Sequence, residues 1–236
     1  MTEIIPAIMP DSFFDLEKKA AQVRSLVPLV QVDIMDGKFV KSKSWPYRNA
    51  GKADEEHFLA MVNQDETLPF FDELDYEIDL MIGEPEIHID EWLPLGASRL
   101  IFHIESIVDL EAFWAHDIWK EGARDIGGQK VIEVGFAINP DTPLETLIPY
   151  LPKLDFVQVM GIARIGYQGE AFDERAFEVI NKIRALYPNI PISVDGAVSL
   201  KTAALLKAAG ATRLVSGSAV FGSEDIKLAV EGLRNA

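Results

Sequence analysis

Eight short apolar runs, each followed by a stretch of helical periodicity, constrain this chain more than any other feature. Ile4 to Met9, Gln31 to Met35, Tyr76 to Ile82, Leu100 to Ile104, Val131 to Ala137, Phe156 to Met160, Ile192 to Val194 and Arg213 to Ser216 read as strands. The helices expected between them start at Asp11 or Ser12, run over Ile87–Leu95 and Leu110–Glu121, and open at Pro143 with Thr142 as a cap. Three more follow over Asp173–Leu186, Leu200–Ala208 and Asp225–Leu233. Alternation of this kind makes parallel strands with crossover helices, and eight repeats in 236 residues is the count of a small (β/α)8 TIM barrel. A doubly wound open sheet is the runner-up; the first strand–helix turn has no GxGxxG to support it. No break in composition divides the chain, so one barrel domain over residues 1–236 is expected. Periodicity is lost at about 41–75, an excursion after the second strand with a helical piece around Glu55 to Asn63. A loop of that length is more often functional than idle.

Charge narrows the partners. The formal net charge is −16, which disfavours nucleic acid and anionic membrane surfaces. No apolar run approaches the ~20 residues that span a bilayer, and the N-terminal residues lack the basic and apolar regions of a secretory leader. Cysteine is absent, so disulfides and thiolate metal sites are excluded. A cytoplasmic, homo-oligomeric protein acting on a small molecule is expected. A phosphorylated ligand would be repelled by the overall field, so its grip must come from local backbone N–H groups.

In such a barrel the site lies at the C-terminal ends of the strands. Gln31 and Asp33 share one face of the second strand, Asp79 lies in the third, and His103 ends the fourth. Asp195 ends the seventh. A single polar residue at a strand end often does no more than cap a loop; three aspartates on three strands of one closed barrel are harder to explain that way. Converging carboxylates raise one another's pKa, so a shared proton or a cation is required. With Gln31, Asp33, Asp79 and Asp195 form an all-oxygen set suited to Mg2+ or Mn2+ in preference to Zn2+. Gly196 and Ala197, with Gly217 and Ser218, place small residues where strands 7 and 8 hand over to helices, where backbone N–H groups can bind an anion. Arg164 in the sixth loop is a weaker candidate for a phosphate contact, a solvated loop arginine being the plainer reading. Met35, Met81 and Met160 fall near the ends of strands 2, 3 and 6, as core filler or as polarizable walls of a reactive centre. His57, His88 and His116 read as surface residues.

With these residues assembled, the chain resembles the ribulose-phosphate 3-epimerase family from about residue 4 to the C-terminus. Val32 to Val40 matches the family's VDVMDGxFV, Asp79-Leu80-Met81 its HLM, and His103-Ile104-Glu105 its HxE. Val194-Asp195-Gly196 is similar to VDGG, Gly217 to Phe221 to GSAxF, and Gly166-Tyr167 with Gly169 to the glycine-rich sixth loop. The resemblance implies a TIM barrel that moves a proton on the carbon beside a pentulose phosphate ketone. It assigns Asp33 and Asp195 as acid and base, the three methionines as flanks of the enediolate, and a divalent metal held by two histidines and two aspartates. Here Gln31 and Asp79 stand where the family has those histidines. Ala7 replaces a substrate-binding serine, and Ala197 replaces a glycine, which is tolerable only at negative φ. The expected function is a divergent sugar-phosphate 3-epimerase, with no metal or a hard cation. The rivals are a Mg2+-dependent aldolase or decarboxylase on the same barrel, for which no strand-end lysine is available, and a non-catalytic sugar-phosphate-binding paralogue.

Overall fold

The computed structural model describes residues 2–48, 51–116, 119, 132–167 and 169–236. Among them eight strands pair in parallel, each with the next and the last with the first, into a closed barrel. They are β1 (Glu3–Ile8), β2 (Leu29–Met35), β3 (Asp75–Met81), β4 (Arg99–His103), β5 (Glu133–Ile138), β6 (Phe156–Met160), β7 (Ile192–Asp195) and β8 (Arg213–Ser216). Each expected strand is present, with ends displaced by no more than two residues. The register sets Asp33 beside Asp79, so two of the three aspartates are neighbours across β2 and β3.

Alternation along the strands divides the interior into two kinds of core. Val30, Val32 and Ile34 face outward, in the large cluster that packs sheet against helices. Leu29, with Ile5, Ala7 and Val215, belongs to a separate lumen cluster, and Met35 with Val40 and Met81 to another near the top. Between these apolar clusters the lumen carries Gln31, Asp33, Asp79, His103, Gln158 and Ser193, all buried. The face that sequence alternation assigns to Gln31 and Asp33 is therefore the lumen.

Helix α1 (Phe13–Val23) is capped by Ser12, whose hydroxyl accepts from the Asp15 N–H at 3.1 Å. Helix α2 (Lys52–Val62) forms inside the excursion, three residues before the expected start. It is tied to the barrel by Asp54, which accepts from the Phe13 N–H at 2.7 Å, and by Trp45, fully buried, whose indole N–H donates to the Asp54 carbonyl. The segment expected as one helix over 87–95 is broken into a 3-10 turn at Pro85–Ile87, α3 (Ile89–Trp92) and a second 3-10 turn at Leu93–Leu95. Pro94 cannot donate a helical hydrogen bond, and Gly96 ends the segment at φ 81°. Helix α4 (Leu110–Ala115) is observed and ends short of the expected Glu121, because His116, at ψ 138°, leaves the helix; residues 117–118 and 120–131, with the start of the expected fifth strand at Val131, lie outside the described residues.

No α-helix opens at Pro143. Two 3-10 turns, Leu144–Thr146 and Ile148–Lys153, occupy that crossover, because Pro149 and Pro152 remove donors at short intervals. Thr142, expected as the cap, donates its hydroxyl to Glu105 at 2.6 Å instead. Helices α5 (Arg175–Leu186), α6 (Ala203–Ala209), α7 (Ser218–Phe221) and α8 (Ile226–Asn235) complete the outer layer. His57, His88 and His116 are half-buried rather than fully exposed; His57 stacks on Phe13 at 4.0 Å and pairs with Glu66.

The N-terminal end of the barrel is closed by an ion network rather than by apolar side chains. Arg99 reaches Glu3, Glu77 and Glu133 at 3.1–3.2 Å, and Arg213 reaches Glu3 and Glu133. Glu77 is wholly buried, and burial, offset in part by Arg99 and Arg213, pushes its carboxyl up to about 7. Arg99→Met is expected to destabilise the fold by about 3–5 kcal/mol, since it strands a buried carboxylate. Adding Glu77→Gln should recover part of that loss. Urea unfolding of the single and double variants measures both.

Candidate active site

Asp33, Asp79 and Asp195 converge at the C-terminal end of the lumen, each offering a carboxylate oxygen within 4.8 Å of the others. Three strand ends bring them together: β2 carries Asp33, β3 carries Asp79, and β7, three strands round from β2, carries Asp195. Ser44, from the start of the excursion, locks the end of β2. Its hydroxyl donates to the Asp33 carbonyl at 2.7 Å and accepts from the Met35 N–H at 2.9 Å. The backbone on either side of Asp33 is thus held in place.

One amide links the two outer members. Gln31 Nε2 donates to Asp33 Oδ1 at 2.8 Å and to Asp195 Oδ2 at 2.9 Å, while its Oε1 is buried without a partner. Gln158, on β6, donates to Asp79 Oδ2 at 3.0 Å. His103 is completely buried, with Nε2 3.2 Å from Asp79 Oδ1 and Nδ1 3.9 Å from Glu105 Oε2. Its ring lies against Asp79 without an aligned hydrogen bond, so the contact is chiefly one of charge.

Burial sets the electrostatics. It is the largest of the influences that hold the Asp33 carboxyl well above the usual carboxylate range, followed by the charges of Asp195 and Asp79, against the pull of the Gln31 amide. Asp195 is pushed up to about 7 by burial and by Asp79, against Gln31, His103 and the Gly196 N–H. For His103, burial favours the neutral ring, but Asp79, Glu105 and Asp195 outweigh it and raise the imidazole above its ordinary value. Raised proton affinity at two carboxyls that share one amide is the condition for having an acid and a base in the same place.

A small cleft of about 50 Å³ opens above the cluster. Asp33 and Asp195 line it, as do Met81 and Met160, Gly166 and Gly169, Gly196 and Ala197, and Gly217 and Ser218. Met35 does not; it packs behind Met81 and under the loop after β6, where a Cβ on Gly166 would lie 3.4 Å from its sulfur. Asp79, Gln31 and His103 sit behind the cavity wall as partners of the lining aspartates. Arg164 also lies outside the lining, over the Tyr167 ring and 3.8 Å from Glu170. Ala197 departs from expectation: its φ is +54°, a left-handed conformation that a non-glycine residue adopts at a cost of roughly 1 kcal/mol. That strain sits two residues from Asp195, in the wall of the cavity.

Sequence reading missed Gln158, Ser44 and Glu170. Gln158 carried a usable signal: Phe156, Gln158 and Met160 alternate as Gln31, Asp33 and Met35 do, with an amide on the lumen face of an otherwise apolar strand.

With this geometry in view, the chain matches the model of the Ribulose-phosphate 3 epimerase family over residues 3–221. It belongs to that family. A ribulose-phosphate 3-epimerase of Schizosaccharomyces pombe is 30% identical over 99% of this chain and 93% of its own length. The cytoplasmic isoform from Oryza sativa subsp. japonica is 26% identical over 99% and 93%. These relatives are isomerases named for a sugar phosphate. Among solved structures, a 3-keto-L-gulonate-6-phosphate decarboxylase from Vibrio cholerae superposes with a TM-score of 0.65 at 15% identity, covering 100% of this chain and 97% of that one. A 3-hexulose-6-phosphate synthase gives 0.63 at 17%, covering 100% and 99%. At those identities the likeness is one of fold, and it agrees with the closed barrel. Among the described residues no helix is long and apolar enough to cross a membrane.

Gly161 joins the loops after β6 and β7: its N–H donates to the Asp195 carbonyl at 2.5 Å, and an added Cβ would collide with the Gly196 carbonyl oxygen. Gly161→Ala must therefore displace the backbone that carries Asp195. Turnover on a ketose phosphate should fall by about 100-fold, the order expected for ångström-scale misplacement of a reacting group. Thermal unfolding should change by only a few degrees.

Proposed function

We propose that this protein is a ketose-phosphate 3-epimerase, interconverting D-ribulose 5-phosphate and D-xylulose 5-phosphate or a related pair. The observation that carries this reading is the Gln31 amide donating to both Asp33 and Asp195 at the floor of the cavity. Inversion needs a base on one face of C3 and an acid on the other. The ionised aspartate takes the C3 proton, the C–H electrons form a C2–C3 double bond, and charge collects on the former ketone oxygen as an enediolate. The protonated aspartate then delivers its proton to C3 from the opposite face. Because Gln31 presents one N–H to each carboxyl, it supports either as the ionised member, as a reversible reaction requires. Met81 and Met160 supply walls that are polarizable and non-basic, so they do not compete for the proton. The phosphate is assigned to the turns at Gly196–Ala197 and Gly217–Ser218, where Ala197, Gly217 and Ser218 offer backbone N–H groups while that of Gly196 serves the Asp195 carboxylate, with Gly166 and Gly169 covering it.

The residues present fit a hard divalent cation in the place where the family carries its metal. Three carboxylates offer oxygens within 4.8 Å, and Gln31 has a buried oxygen without a donor. No nitrogen or sulfur ligand belongs to the set, so Mg2+ or Mn2+ fits it and Zn2+ does not. Asp33, Asp79 and Asp195 would hold the ion, with Gln31 Oε1 joining once its amide turned. When bound, the ion supplies stabilisation of negative charge on the ketone oxygen. Two further assignments extend the reading: a cytoplasmic setting, in line with the relative named as a cytoplasmic isoform, and a homo-oligomeric assembly. Of the rival readings, aldol or decarboxylase chemistry is disfavoured by the lack of a lysine among the described residues that line the cavity, and a pure binding role by aspartates whose pKa values are raised as acid–base work requires.

Proton NMR in D2O tests the reaction. Loss of the C3 proton signal of D-ribulose 5-phosphate, with appearance of the xylulose epimer, is expected from the wild-type protein; retention of that signal under chelated and Mg2+- or Mn2+-restored conditions would remove the pentulose reading. The pH–rate profile should be bell-shaped. Activity should rise as the first proton leaves the pair and fall as the second does, with one limb near pH 7, the value to which Asp195 is pushed; both limbs belong to the pair, whose Asp33 member is also held above the usual carboxylate range. Calorimetry should show Mn2+ binding accompanied by proton release, tighter at pH 8 than at pH 6, because the cation competes with protons on the same oxygens.

A further inference from the structure

Every charged side chain that lines the cavity is acidic: Asp33, Asp195 and Glu170, with no lysine, arginine or histidine among the described lining residues. Glu170 enters from the loop after β6. Its ion-pair partner, Arg164, approaches at 3.8 Å, but that guanidinium lies over the Tyr167 ring, 66% exposed and outside the lining. Within the cavity the Glu170 charge is therefore opposed only across the loop that bears it. The lining offers one type of place for an anion, the backbone of the small-residue turns at Gly196–Ala197 and Gly217–Ser218. It offers carboxylates, which accept hydrogen bonds from hydroxyl groups, elsewhere.

We propose that Glu170 is a specificity-determining residue, selecting ketoses that carry a single phosphate over ligands that bear a second anionic group. The proposal rests on the sugar-phosphate reading of the site and names the substrate class within it. A monophosphate sets its anion on the backbone turns and its hydroxyls against the acidic wall. In the metal-free protein a second phosphate or a carboxylate meets that wall with no lysine or arginine among the described lining residues to receive it, in a cleft where like charges are poorly screened. A chain of net charge −16 adds no compensating field.

The test uses chelated, metal-free protein and two polyols that lack the ketone, xylitol 5-phosphate and xylitol 1,5-bisphosphate, so that binding is read without turnover or a bound cation. Calorimetry on the wild type should give a dissociation constant for the monophosphate at least tenfold below that for the bisphosphate. Glu170→Gln should cut that ratio at least threefold, and Glu170→Asp, which keeps the charge, should preserve it. A wild-type ratio near one, a ratio unmoved in Glu170→Gln, or no binding of either polyol to the wild type would overturn the proposal. If the ratios behave as expected while no ketose phosphate loses its C3 proton, the charge filter stands and the epimerase reading falls, so the two fail separately.

Discussion

Three carboxylates buried together at one end of a closed barrel are the constraint on which the rest of this structure depends. Their mutual repulsion and their removal from water both favour protons. The fold answers with two donors placed at fixed points, the Gln31 amide between Asp33 and Asp195 and the Gln158 amide on Asp79, and with the charge of the His103 ring beside Asp79. Each donor sits on a different strand from at least one of its acceptors, so only the closed barrel brings them together. The cost of burying the acids is offset by donors that hold their orientation. The raised proton affinity that remains is the property on which the proposed acid–base chemistry at C3 rests.

The two ends of the lumen handle charge differently. At the N-terminal end Arg99 and Arg213 are interleaved with Glu3, Glu77 and Glu133, and the carboxylates have cations in contact. At the C-terminal end the described residues bring no arginine or lysine to the three aspartates; only His103 brings a titratable nitrogen. Both clusters occupy lumen positions in the same β-strand alternation. The difference lies in what the partner strands contribute, and it places structural ion pairing at the closed end and a reactive cluster at the open one, in keeping with where barrels of this kind carry their chemistry.

Much of this is legible in the sequence. Period-two alternation in Leu29–Met35 puts Gln31 and Asp33 on one face, and strand–helix alternation counts the barrel. Sequence cannot show that Gln31 reaches both Asp33 and Asp195, because that contact spans 164 positions and depends on barrel closure. Nor can it show that Met35 lies behind the wall that Met81 and Met160 line, since all three stand at equivalent strand ends. The crossover after β5 misleads because the cap-like Thr142-Pro143 pair outweighs Pro149 and Pro152, which forbid a continued helix. For Ala197 the ordinary preference of residues with a Cβ points to negative φ; the structure holds it at +54°, where the tight turn after β7 imposes the conformation.

The central claim is that Asp33 and Asp195 serve opposite faces of the same carbon. The measurement that tests it most directly is C3 hydrogen exchange in D2O by Asp33→Asn and Asp195→Asn, each supplied separately with D-ribulose 5-phosphate and D-xylulose 5-phosphate. Each variant retains one of the two bases. It should therefore wash deuterium into one epimer without inverting it and leave the other untouched, with the two variants showing opposite choices. A variant that still inverts C3, or two variants that exchange the same epimer, would contradict the account.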